Sequence, residues 1–283
     1  MEWWVVALLL LAVQSSAVKN CHPGCHCEVE SFGLFDSFSL TKVDCRGLGP
    51  SASMPIPIPL DTAHLDMSSN AMGPLSDTVL AGPGYTTLIS LDLSSNHITK
   101  ISPSALSKLR YLESLDLSHN NLESLSPNCF SGLPLVEVDL SHNSFQEFDM
   151  DVFASKVNGE PVSVDLSHNK LVSVSTTLHG RVLHIQSLTL SSNQLSSVPS
   201  LAGLLLRYLN LDGNPITQIP EGAFAHLRKS SRTASKASRA CKFWISPATL
   251  TLRVSHWDKT PAAGGPRSRD FSTGRWGSQL AAG

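Results

Sequence analysis

One asparagine recurs through the middle of this chain inside a fixed apolar frame, and that frame limits the fold more than any other feature. It runs apolar-x-apolar-x-x-Asn-x-apolar-x-x-apolar, with asparagines at Asn70, Asn96, Asn120, Asn143, Asn169, Asn193 and Asn214. Their spacings are 26, 24, 23, 26, 24 and 21 residues. Five residues before each Asn stand Leu65, Leu91, Leu115, Val138, Val164, Leu188 and Leu209. Three before stand Met67, Leu93, Leu117, Leu140, Leu166, Leu190 and Leu211. Two after stand Met72, Ile98, Leu122, Phe145, Leu171, Leu195 and Ile216. Five after stand Leu75, Ile101, Leu125, Phe148, Val174, Val198 and Ile219. Every one of these positions is apolar.

This period and signature are those of leucine-rich repeats. One repeat cannot bury its own apolar residues, but stacked coils bury them in a continuous core. The expected fold is an α/β repeat: a curved leucine-rich-repeat solenoid with short parallel strands on its concave face. Each coil supplies a strand such as Ser90-Leu91-Asp92 and turns at its Asn. The seven asparagines then form a structural spine, because a side-chain amide satisfies backbone groups where no ladder exists. The repeats span about seven coils over residues 61–228.

The N-terminal 60 residues have a different character. Trp3 to Val13 is an uncharged apolar run followed by Ser15, Ser16 and Ala17, the pattern of a signal peptide spanning residues 1–17. The run is too short to cross a bilayer, and no apolar stretch reaches the length of a membrane span. A secretory start implies an oxidising compartment, where clustered cysteines read as disulfides. Cys21, Cys25, Cys27 and Cys45 form a C-x3-C-x-C-x17-C cluster that allows three pairings. Zinc is the rival reading, although zinc sites usually show two separated cysteine pairs. Residues 18–60 therefore read as a cysteine cap over the open end of the stack. Alternate prolines at 55, 57 and 59 suit an extended edge that templates no further pairing. Cys129 and Cys241 are left over.

The C-terminal segment departs again. The whole chain carries 21 Lys/Arg against 23 Asp/Glu. Residues 229–283 hold ten Lys/Arg and two Asp/Glu, so residues 1–228 are strongly acidic. The tail has no Asn and hence no repeat. It reads as a basic, mostly disordered segment. A shifted reading frame or an alternative splice accounts for so abrupt a change.

In a parallel stack, outward side chains of successive coils line up in columns about 4.8 Å apart. Four residues before each Asn stand Asp66, Asp92, Asp116, Asp139 and Asp165, then Thr189 and Asn210. Immediately before the Asn stand Ser69, Ser95, His119, His142, His168, Ser192 and Gly213. Each Asp alone reads as repeat filler, solvated or bonded to a nearby Ser. Collectively, the five carboxylates and three histidines form an acidic concave strip suited to a basic protein partner. No catalytic constellation stands out. Asp116, Ser118 and His119 are triad residue types, but they are neighbours in one strand-turn and recur at 139/141/142 and 165/167/168. A triad needs convergence from separate elements. Phosphate-loop, HExxH and dinucleotide fingerprints are missing, so neither an enzyme nor a cofactor is expected.

Several stretches carry a family likeness. They are the cap with its long last gap, EVESFGLFDSFSL at 28–40, VDC at 43–45, PIPLDTAHL at 57–65, AGPGYTTL at 81–88, LRYLESLDLSHN at 109–120 and LRYLNLDGNP at 206–215. Together they resemble the small leucine-rich proteoglycan family. The resemblance implies the pairs Cys21–Cys27 and Cys25–Cys45. It also implies a secreted, non-enzymatic protein that modulates extracellular developmental signalling. Expected partners are growth factors, their antagonists or receptors: bone morphogenetic proteins with chordin, Wnt receptors of the Frizzled type, and TGF-beta-type ligands. A collagen-binding matrix component is the second reading, and a truncated product with little activity the third. Nucleic acid is not an expected partner. The chain departs from the family pattern in having no Asn-x-Ser/Thr sequon and in stopping its repeats after residue 228.

Overall fold

The computed structural model describes residues 20–32, 38–49, 54–127, 129–157, 160–176, 182–219, 242–244 and 253–255. The signal peptide, Cys241 and most of the basic tail lie outside these residues.

The cap is a β-hairpin. β1 (His26–Phe32) runs antiparallel to β2 (Phe38–Asp44), so the long Cys27-to-Cys45 gap is a strand that goes out and returns. β2 then pairs in parallel with β3 (Thr62–Asp66), and the stack begins. Cys21 is bonded to Cys27 and Cys25 to Cys45, the pairs the family likeness implies. All four sulfurs are engaged, which leaves none to ligate zinc.

Each following coil adds one short parallel strand: β4 (Ser90–Asp92), β5 (Ser114–Asp116) and β6 (Glu137–Asp139). On the opposite side of the coil, β7 (Glu147–Asp149) breaks this series. β8 (Val162–Asp165) resumes it beside β6, and β9 (Ser173–Ser175) pairs with β7 in a separate two-stranded sheet. β10 (Ile185–Thr189) and β11 (Tyr208–Asn210) complete the parallel run. Within the tail, β12 (Lys242–Trp244) and β13 (Arg253–Ser255) are described. β13 joins β11 antiparallel through Asn210 and Arg253. That is a different connection from the parallel step of a repeat, in keeping with a segment that has no repeat Asn. The rest of the expected disordered tail lies outside the described residues.

Among the described residues there is no α-helix. The helical part of the α/β expectation is carried by two 3₁₀ segments, Pro83–Thr87 and Met150–Val157. The first follows from its glycines and proline. A Cβ on Gly84 would lie 2.6 Å from the Pro59 carbonyl oxygen, so only glycine lets this turn press against the cap linker. The buried Tyr85 then donates its hydroxyl to the Ile56 carbonyl at 3.2 Å. In the 54–59 segment Ile56 and Ile58 are buried and Pro55 and Pro57 exposed, the alternation of an extended chain.

The frame residues fill the core. All are buried except Met72 and Leu125, which are partly buried, and Ile219 at 43% exposure. Burying one such Leu stabilises the fold by about 1.5–3 kcal/mol. Phenylalanines thicken the core on the β7 side: Phe130 and Phe153 stack with centroids 5.3 Å apart, and Phe145 meets Phe148 edge-on.

The asparagines tie one coil to the next. The Asn120 amide donates to the Leu117 carbonyl of its own coil at 3.1 Å and to the Leu93 carbonyl of the preceding one at 3.0 Å. Its Oδ1 accepts the Ile98 N–H at 3.0 Å. Asn70, Asn96, Asn143, Asn169, Asn193 and Asn214 repeat this pattern. The amide is buried in the five inner coils and partly buried at Asn70 and Asn214.

Candidate functional site

The strand register decides which side chains form columns. His64–Ser90–Ser114–Glu137–Ser163–Ser187–Tyr208 are successive partners, and so are Asp66–Asp92–Asp116–Asp139–Asp165–Thr189–Asn210. The second column also extends backwards, because Asp44 of the cap pairs with Asp66. Six carboxylates therefore stand in line. Asp44 lies outside the repeat and has no Asn after it, so the frame gave no sign of it. The only hint was its VDC context, one residue before Cys45.

The six are not equivalent. Arg46 reaches Asp44 at 2.6 Å and Asp66 at 3.3 Å. The guanidinium hydrogen bond holds the Asp44 carboxyl below its ordinary value. Asp92, Asp116, Asp139 and Asp165 have no Lys or Arg partner among the described residues. At the cap end, Glu30, Lys42, His64, Asp66, Ser90 and Asp92 line an open hollow of ≈ 390 Å³.

Each Asp also builds its own turn. The Ser118 N–H donates to Oδ1 of Asp116 at 2.8 Å, and Ser68, Ser94, Ser141 and Ser167 do the same to Asp66, Asp92, Asp139 and Asp165. In the last coil Asn210 accepts the Asp212 N–H at 3.0 Å in the same geometry. One carboxylate oxygen of each Asp is thus fixed by the backbone, and the column is held rigid rather than freely solvated. Burial pushes the Asp92 and Asp116 carboxyls above the ordinary carboxylate value. The bonds from Ser94 and Ser118 oppose the shift, and neighbouring carboxylates add to it.

The residue after the turn serine has a constrained backbone. Ser69, Ser95, His119, His142, His168 and Ser192 have φ between 53° and 55°, and Gly213 has 68°. This left-handed region costs a non-glycine residue roughly 1–2 kcal/mol. It sends the side chain out to solvent at the rim of the strand face. The glycine at position 213 was the one sequence sign of it. The three histidines, all exposed, form a stack. His119 and His142 have centroids 4.0 Å apart with planes 10° from parallel, and His142 and His168 are 4.3 Å and 7°. Desolvation and the two flanking rings lower the His142 pKa, while Asp139 and Asp165 partly counter this.

The Asp, Ser and His of one coil do not converge as a triad. Asp116 bonds a backbone N–H and His119 faces His142. Cys129 is buried and unpaired, and burial pushes its thiol up to about 12, which leaves little thiolate at neutral pH.

Comparison with known proteins agrees with this architecture. The leucine rich repeat model matches residues 86–145 and 162–216. These residues form a leucine-rich-repeat domain. The chain shows strong sequence homology to vertebrate Tsukushi proteins over most of its length. Tsukushi of Danio rerio is 63% identical over 211 residues, which is 75% of this chain and 60% of the relative. Tsukushi of Gallus gallus is 57% identical over 225 residues, 80% of this chain and 60% of the relative. The leucine-rich-repeat chain thus spans three fifths of either relative's length. The leucine-rich repeat domain of APL1B superposes with a TM-score of 0.48 at 20% identity, covering 59% of this chain and 47% of that one.

Proposed function

We propose that this chain is a secreted, non-enzymatic binding protein that captures basic extracellular signalling proteins on its strand face. A leader over residues 1–17, a cap over 18–60, repeats over 61–228 and a basic tail over 229–283 complete this reading. The supporting observation is the in-register column of carboxylates, four of which have no basic partner among the described residues. Serines flank the column at Ser90, Ser114 and Ser163, and Glu137 beside Asp139 adds a further carboxylate to the strip. Fixed negative charge in a row speeds encounter with a cationic surface and selects its orientation. Two disulfides fit an oxidising compartment. No helix among the described residues is long and apolar enough to cross a membrane.

Within this class the reading favours modulators of developmental signalling: bone morphogenetic proteins with chordin, Frizzled-type Wnt receptors or TGF-beta-type ligands. The Tsukushi relatives support it through sequence. The test is a pull-down of these ligands, with collagen fibrils alongside. It compares the natural chain with an Asp92→Asn/Asp116→Asn/Asp139→Asn variant. Retention of a signalling protein that the variant loses supports the reading. Retention of collagen alone, or equal capture by both chains, overturns it.

A further inference from the structure

We propose that the stack of His119, His142 and His168 makes this face acid-releasing: a basic partner held at neutral pH is let go as the rings take up protons. The inference rests on the carboxylate column being the binding face. Its own basis is the geometry of the three central coils.

The three rings occupy the same position in consecutive coils, with centroids 4.0 and 4.3 Å apart and nearly parallel planes. The titratable groups facing His142 are His119 from the preceding coil, His168 from the following one, Asp139 from its own and Asp165 from the next. Asp116 couples to His119 in the same way. Each ring stands three residues after a column aspartate, so three protons place three positive charges beside Asp116, Asp139 and Asp165. Those are the positions a cationic partner needs. The outer coils carry Ser69, Ser95, Ser192 and Gly213 instead, so the charge change falls on the centre of the column.

The rings are exposed, so bulk solvent supplies the protons. An ordinary histidine titrates near pH 6.5. Like charges at this separation oppose full protonation of the stack. Desolvation and the two flanking rings hold the central His142 below the ordinary histidine value. Release is therefore graded over the range below neutrality rather than completed in one step.

The test uses fluorescence anisotropy of a labelled oligolysine peptide, whose own charge is constant over the range, at fixed ionic strength. It compares the natural chain with a His119→Ser/His142→Ser/His168→Ser variant. Serine occupies the same left-handed position at Ser69, Ser95 and Ser192, so this variant retains the turn. A second variant with Asn at all three positions, a residue tolerant of that backbone, guards against a folding artefact. The natural chain should lose about tenfold in affinity between pH ~7.5 and ~5.5, and either variant less than about twofold. Equal losses in natural chain and variants, or no loss in any, overturn the inference while leaving the binding face intact. Absence of binding at pH ~7.5 overturns the binding face itself, and the inference with it.

Discussion

Asp44 and Asp66 lie opposite each other on adjacent parallel strands, and a single guanidinium, Arg46, bonds them both. One belongs to the disulfide cap and the other to the first repeat. Arg46 thus stitches cap to solenoid and removes the first two carboxylates from the charge available to a partner. Further along, burial first and neighbouring carboxylates second raise the Asp92 and Asp116 carboxyls above the ordinary value.

Replacing Arg46 by Ala should return both carboxylates to the strip. Affinity for an oligolysine peptide at low salt is expected to rise about two- to fivefold. The Asp44 carboxyl, now depressed chiefly by its hydrogen bond to Arg46, should titrate at a higher pH. A depressed carboxylate lends stability above its unfolded value and loses it as pH falls through the folded one. The variant should lack that small acid-side dependence. Carboxyl NMR titration with the peptide measurement checks both outcomes.

The Asn spine should be the costliest polar feature to remove. Asn120→Ala leaves the Ile98 N–H without its side-chain partner in a buried turn and takes one of two amide donors from the Leu93 carbonyl, which keeps Asn96. A buried group left unpaired costs about 1–3 kcal/mol, and a loss of that size is expected in urea denaturation. Asn70→Ala, at the partly buried end of the spine, should cost less. In the core, Leu115→Ala should cost about 2–5 kcal/mol. Ile219→Ala, at a position 43% exposed, should be close to neutral.

Much of this was legible in the sequence because the frame sets the register. Once Leu91, Leu115 and Val138 are aligned as inward residues, Asp92, Asp116 and Asp139 must share one outward column. The period says nothing of Asp44, which reaches the same column through an antiparallel hairpin that belongs to no repeat. Nor does it give the backbone angle at His119. The left-handed residue follows the turn in which the Ser118 N–H donates to Asp116, and in that turn His119 stacks on His142. The period does not place the 3₁₀ turn at Pro83–Thr87 either, where Gly82, Pro83 and Gly84 hold the chain tightly against the cap linker.

Asp116→Asn should be tolerated or slightly stabilising at neutral pH, since Asn210 already builds the same turn and the change removes a like-charge contact. Asp116→Ala should cost about 0.5–1.5 kcal/mol through the lost turn bond. The pH profile of stability should carry two opposite slopes. Asp92 and Asp116 have folded values above 3.8, mainly from burial. They contribute stability at low pH and lose it as pH rises through those values. His142 is depressed below 6.5, mainly by desolvation and its flanking rings. It therefore lowers stability as pH falls below 6.5. Thermal melts of the natural chain, the Asp92→Asn/Asp116→Asn variant and the three-serine histidine variant separate the two slopes.

The carboxylate column as a binding face is tested most directly by a salt series. The affinity of the best-retained signalling protein is measured from about 50 to 500 mM salt, a range over which the screening length falls from above 10 Å to below it. The natural chain should bind about tenfold or more tightly at the low end than the Asp92→Asn/Asp116→Asn/Asp139→Asn variant, with the two converging at the high end. Two parallel lines, or two that coincide throughout, would contradict the account.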